Sequence, residues 1–202
     1  MKLSNTQFLS KKNKGFTLIE LLVVISIIAT LGAISYGPML KMINNANIVN
    51  SQKVCRDLVA AVDNFQLDYG YLPFTGNNIP TQDTQVTTDG SAFLDVIMGN
   101  NDDVNTRAIS YFDADTAEGD KNGLVLDGNG NPQELLDKWG NHYHILLDYS
   151  GNGTIDGFNT LLSNPGVMDT DAYDLDRRTE SAVALSPGKD GEFNDIGDAA
   201  SF

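Results

Sequence analysis

Lys14 to Gly37 reads KGFTLIELLVVISIIATLGAISYG, and the reading of this stretch decides the fold. Between Phe16 and Tyr36 the one charged residue is Glu20, and the others are apolar, small or hydroxylic. At a helical rise of about 1.5 Å per residue, these twenty-one positions span roughly 31 Å, the thickness of a bilayer's hydrocarbon core. Lys11, Lys12 and Lys14 stand just before the run, and no acidic residue occurs in the first nineteen positions. By the positive-inside rule, that end stays in the cytoplasm and the chain beyond Tyr36 is exported. The stretch predicts a membrane helix.

Two features are unusual for such a helix. Glu20 sits about one turn into it, where a carboxylate costs about 2.5–3.5 kcal/mol on insertion scales and needs a partner or a purpose. The order of parts is also unlike a secretory signal, which is cut after its apolar region at a small-x-small site. Leu31-Gly32-Ala33 comes near that form, but the apolar run continues past it.

Gly15-Phe16-Thr17-Leu18-Ile19-Glu20-Leu21-Leu22-Val23-Val24 resembles the class III signal of type IV pilins and type II secretion pseudopilins. The resemblance implies that a prepilin peptidase cuts between Gly15 and Phe16 on the cytoplasmic side and methylates the new Phe16 amine. It also gives Glu20 a purpose. In a filament the helices leave the lipid and pack side by side, and the buried carboxylate pairs with the Phe16 amine of a neighbouring subunit. A buried charge left alone is strongly unfavourable, so this pairing would set subunit register. Residues 1–15 are then a basic leader, 16–37 a transmembrane helix, 38–70 its amphipathic continuation, and 71–202 an exported domain.

The continuation is legible in the pattern. Pro38 lacks an amide donor and is expected to kink the helix. Ile48, Cys55, Leu58, Val62, Phe65 and Tyr69, with Ser51 filling the gap, then fall three and four residues apart and form one stripe. Gly70 and Pro73 mark the end. Residues 71–90 have loop composition, and Ser91 to Met98 reads as a short helix capped by Ser91 or Asp89. Asn105 to Asp113 and Gly123 to Asp127 are candidate extended segments. His142 to Tyr149 is the best strand, with a turn at 150–153, a return strand opening at Thr154-Ile155, and a last strand over Ala182 to Leu185. A helix followed by antiparallel strands is an α+β domain. In pilin-like proteins a small antiparallel sheet packs on the second half of the long helix.

The formal charge is −14, and loss of the leader's four lysines (Lys2, Lys11, Lys12, Lys14) leaves nine basic residues against 27 acidic. Such a surface repels nucleic acid and suits divalent cations. Cys55 is the single cysteine, which excludes an intrachain disulfide and makes a metal ion the natural alternative clamp. The residues offer no nucleophile–base set, and the two histidines, His142 and His144, lie in a strand-like segment.

Three further constellations stand out. Asp137-Lys138-Trp139-Gly140-Asn141 resembles the Asp-Pro-Trp-Gly-Asn turn of major pseudopilins, with Lys138 in place of the proline, and reads as a turn with its indole folded onto the core. Asp148, Ser150, Asn152 and Asp156, with Gly153 between them, follow the first nine positions of an EF-hand-type calcium loop, although the twelfth is Asn159. Asn-Gly and Ser-Gly equally make this a hairpin turn. Ser186-Pro187-Gly188-Lys189-Asp190-Gly191, followed by Asp195 and Asp198, resembles the C-terminal calcium loop of the major pseudopilin. By that resemblance Asp190 and Asp195 supply carboxylates to calcium and Ser186 and nearby carbonyls add oxygens, with Asp198 compensating for Asn194, where an acidic residue is frequent.

Together these resemblances imply a structural, non-enzymatic subunit of the major, shaft-forming kind. Held first in the inner membrane with its domain in the periplasm, it polymerises with itself and other machine subunits into a type II secretion pseudopilus. A type IV pilus subunit for adhesion, motility or DNA uptake is the alternative from the same signal. A membrane-anchored exported enzyme using His142 or His144 is the alternative from another class.

Overall fold

A computed structural model describes residues 15–155, 181–193 and 199–200. Among them the order is helix α1 (Leu18–Tyr69), strand β1 (Thr84–Thr87), helix α2 (Ser91–Ile97), then strands β2 (Gly123–Leu126), β3 (Pro132–Leu136), β4 (His144–Leu147), β5 (Ala182–Ser186) and β6 (Ala199–Ala200). This is the expected α+β arrangement, a long N-terminal helix followed by small antiparallel sheets. The chain divides into two compact units, Met1–Ile43 and Asn44–Phe202.

The described part of the first unit is helical from Leu18 onward, and every residue from Gly15 to Ile43 is exposed in the single chain. The hydroxyls along it are satisfied locally. Ser26 donates to the Val23 carbonyl at 2.8 Å, Thr30 to Ile27 at 2.9 Å and Ser35 to Leu31 at 2.9 Å. That self-sufficiency is what a segment surrounded by hydrocarbon requires. Pro38 lies inside α1, which continues as helix on both sides of it.

In the second unit the predicted stripe is buried from Ser51 to Phe65, while Ile48 and Tyr69 at its ends are half-buried. Ser51, Cys55, Leu58, Ala61, Val62 and Phe65 are buried on α1, with Ala61 an addition to the expected set. Cys55, Leu58, Ala61 and Val62 share a core with Phe93, Leu94 and Ile97 of α2 and with Ile145, Leu147, Ala182 and Ala184 of the sheet. A fully buried Leu or Phe contributes about 1.5–3 kcal/mol, so this contact holds the domain on its helix. Phe65 stacks on Tyr69 at 4.5 Å and meets Tyr71 and Tyr111 edge-on. Gly70, at φ +77°, ends the helix, and its amide donates to the Gln66 carbonyl at 2.7 Å.

The main sheet has the order β1-β4-β5-β6 and is antiparallel throughout, with Val86 opposite Ile145 and Ile145 opposite Ala184. β2 and β3 form a separate hairpin. Thr88 locks hairpin to sheet. Its hydroxyl donates to the Leu135 carbonyl at 2.6 Å and accepts from the Tyr143 amide at 2.9 Å, while its amide donates to the Tyr143 carbonyl at 3.0 Å.

Several expectations are corrected. The stretch 71–90 is not all loop: Thr84-Gln85-Val86-Thr87 pairs with β4, its β-branched residues outweighing the polar composition around them. The residue preceding α2 is Gly90, which has no side chain to cap with, so neither Ser91 nor Asp89 is the cap. Residues 105–113 form no strand; Asn105 organises them. It is fully buried, its amide donating to the carbonyls of Val96 and Ile109 and its oxygen accepting from Tyr69 and the Ile109 amide. β4 begins at His144, not His142, and no return strand opens at Thr154-Ile155, because Asp148 holds that segment in a turn. Trp139 is half-buried and takes no place in the buried core.

Candidate functional site

The N-terminal site is built on the first turn of α1. Thr17 precedes the helix and Glu20 is its third residue. The Thr17 amide donates to Glu20 Oε2 at 2.8 Å, the Thr17 hydroxyl to the same oxygen at 2.7 Å, and the Glu20 amide to Thr17 Oγ1 at 3.3 Å. This is a capping box, in which two backbone donors that the helix itself leaves unused find side-chain oxygens. The carboxylate also lies where the helix dipole favours negative charge. Glu20 therefore has a partner inside its own chain, a role that sequence reasoning missed, although Thr-x-x-Glu before an apolar run signals it.

Gly15 and Phe16 precede the helix. Gly15 adopts no left-handed φ, and a Cβ added there meets nothing within 4 Å. Among the described residues, neither backbone conformation nor packing demands a glycine at this position. Phe16 is 80% exposed and stands at the head of a row of exposed apolar residues that includes Leu18, Ile19, Ile28 and Ile34. Alone in the described chain, α1 is long and apolar enough to cross a membrane.

The Asp137 turn and the C-terminal loop prove to be one structure. Asp137 is fully buried, and its Oδ1 accepts from the amides of Trp139, Gly140 and Asn141 at 2.8, 2.9 and 2.8 Å. Its Oδ2 accepts from Ser186 Oγ at 2.7 Å, and Asn141 Nδ2 donates to the Gly188 carbonyl at 2.6 Å. Gly140 is required: at φ +98°, a Cβ would lie 2.9 Å from the Asp120 carbonyl oxygen. Ser186 is thus committed to Asp137, while Asp190 is exposed and accepts from the Glu192 amide at 3.1 Å. Asp195 and Asp198 lie outside the described residues.

The Asp148 loop has a satisfied carboxylate at its centre. Oδ1 accepts from Ser150 Oγ at 2.8 Å and the Gly151 amide at 2.7 Å, and Oδ2 from the Gly153 amide at 2.8 Å. Burial raises the Asp148 pKa, but the hydrogen bonds from Ser150, Gly153, Gly151 and Asn152 outweigh it and hold the group below the usual carboxylate range. Asn152 Oδ1 accepts from the amide and hydroxyl of Thr154. Both loops offer oxygen donors, the chemistry calcium takes. In the Asp148 loop those oxygens turn inward onto their own chain, and Asp156 lies outside the described residues.

Cys55 is fully buried, and burial pushes its thiol well above the ordinary range. It is a packing residue, as its place on the stripe implies.

Residues 10–36 match the family model of the prokaryotic N-terminal methylation motif. No curated protein and no solved structure matches the chain. The matched segment contains Gly15, Phe16, Thr17 and Glu20, so over these residues the chain carries the motif that marks a type IV pilin-like precursor for the prepilin peptidase.

Proposed function

We propose that the chain is the major structural subunit of a type II secretion pseudopilus. It is made as an inner-membrane precursor with its N-terminus in the cytoplasm, trimmed after Gly15, methylated on Phe16 and drawn into a periplasmic filament. The observation that carries this reading is the unbroken exposure of the apolar helix from Gly15 to Ile43, headed by the methylation motif. So much apolar surface needs lipid or copies of itself around it. Filament assembly supplies the copies, and Glu20 supplies an anion for the neighbour's Phe16 amine. Its role is mechanical, and its partners are itself, the peptidase and other subunits of the machine.

Calcium belongs to the same reading, held in the C-terminal loop by Asp190, Asp195 and Asp198, with the Asp148 loop as a second candidate. Ser186 serves that loop through Asp137, tethering its base. The absence of any cysteine pair favours a metal clamp over a disulfide in an exported domain.

Deleting the gene and imaging the cells tests the assignment. Loss of secreted proteins, with short periplasmic filaments restored on overexpression, is the expected result. Long surface fibres with secretion intact would assign the chain to a type IV pilus instead.

A further inference from the structure

Three side chains from separate segments of the second unit converge where the hairpin meets the sheet. Asp89 lies between β1 and α2, Glu134 lies on β3, and His142 forms an isolated bridge with Leu136 just before β4. His142 Nε2 is 3.2 Å from Glu134 Oε2 and 3.9 Å from Asp89 Oδ1, and the three ligand atoms lie within 4.8 Å of one another. Among the described residues no lysine or arginine pairs with either carboxylate.

We propose that Asp89, Glu134 and His142 bind a divalent first-row transition metal ion, with zinc the best match. Zinc bonds of about 2.0–2.2 Å to nitrogen and oxygen in tetrahedral geometry put neighbouring ligand atoms roughly 3.3 Å apart. The observed 3.2 and 3.9 Å therefore need only small side-chain adjustments. One imidazole with two carboxylates suits a borderline ion, whereas calcium and magnesium prefer oxygen throughout. Water takes the fourth position.

The backbone beneath the cluster is already fixed. Each ligand is the immediate neighbour of one member of the buried set Thr88, Leu135 and Tyr143. Those three are bound to one another through the Thr88 hydroxyl, amide and carbonyl, the last accepting from the Leu135 amide at 3.2 Å. The ligands thus project from three strands of chain whose relative positions the core has set, which lowers the ordering that binding demands. A bound ion would cross-link the segment after β1, the hairpin and the entry to β4. This site is separate from both acidic loops and does not depend on the filament reading.

The test uses the full chain in detergent micelles, with Zn²⁺ titrated against the imidazole NMR signals. The chain has two histidines, and His144 is a built-in control, because it packs against Phe193 and contacts Gln85. The expected result is a shift of the His142 signal that saturates at about one equivalent and clearly exceeds that of its neighbour His144. Ca²⁺ at the same concentration should leave His142 unmoved. His142→Gln and Glu134→Gln should each weaken zinc binding by about tenfold or more. A His142 signal unmoved at saturating zinc, or equal affinity in the wild type and His142→Gln, overturns the proposal. The signal is read on the unaltered chain, so a variant that fails to fold leaves the test intact.

Discussion

Ser186 donates a hydrogen bond of 2.7 Å to a carboxylate oxygen of Asp137, and both residues are fully buried. This bond fastens the end of β5 and the loop that follows it to the turn that leads into β4. The same carboxylate gathers three amides of its own turn, so one side chain shapes two segments. Asp137→Ala would strand those amides and the Ser186 hydroxyl. It should cost about 3 kcal/mol or more, and Ser186→Ala about 1–2 kcal/mol, in urea unfolding. An Asp137→Ala midpoint equal to that of the wild type would contradict the arrangement.

Glu20 has two roles that a substitution can separate. Glutamine keeps the capping box, since its side-chain oxygen still accepts from Thr17, but it carries no charge. Glu20→Gln should therefore insert in the membrane with an intact first turn and fail to assemble. Thr17→Ala should weaken only the cap, by about 1 kcal/mol. Normal filaments from Glu20→Gln, seen by electron microscopy of sheared fractions, would refute the charge pairing.

His144 sets a pH dependence. Burial first, and the neighbouring His142 second, lower its pKa from 6.5 to about 4 in the folded chain. A histidine kept neutral by folding gives stability at neutral pH that is lost as pH falls from 6.5 towards 4, because the unfolded chain takes up the proton first. The loss is on the order of 2–3 kcal/mol. Asp148 acts in a lower window: its carboxyl is held below 3.8, so its contribution is lost as pH falls through the acid range. Melting temperatures from pH 7 to 4 should decline less steeply for His144→Gln, and an unchanged slope would exclude His144 as the cause.

The calcium reading predicts that a chelator lowers the melting temperature and that added Ca²⁺ restores it. Asp190→Asn should abolish that response if the C-terminal loop holds the ion, and Asp148→Asn if the other loop does. An identical midpoint with and without chelator counts against calcium in either loop.

The long helix and its buried stripe were legible because they are local patterns: an apolar run of membrane length, then three-and-four spacing ended by Gly70. β4 was legible from its dense branched and aromatic residues, and β5 from the short apolar run Ala182-Val183-Ala184-Leu185. β1 was not, because Thr84-Gln85-Val86-Thr87 owes its extended form to β4, distant in sequence; β3 was not, because Pro132-Gln133-Glu134 hides the strand pattern although its partner β2 lies just before it. Asn105 was hidden because its bonds to Tyr69 and Val96 exist only once α1 and α2 are in place. The processing residues were readable as a motif, whereas the grip of Glu20 on Thr17 was passed over in favour of an intermolecular partner. No spacing rule joins Asp89, Glu134 and His142, which only the hairpin–sheet junction brings together.

The mass of the N-terminal peptide of the protein isolated from cells tests the central claim most directly. The account predicts a chain that begins at Phe16 and carries one methyl group on its amine. A chain that still begins at its first fifteen residues, or one that has lost the whole apolar segment, would contradict it.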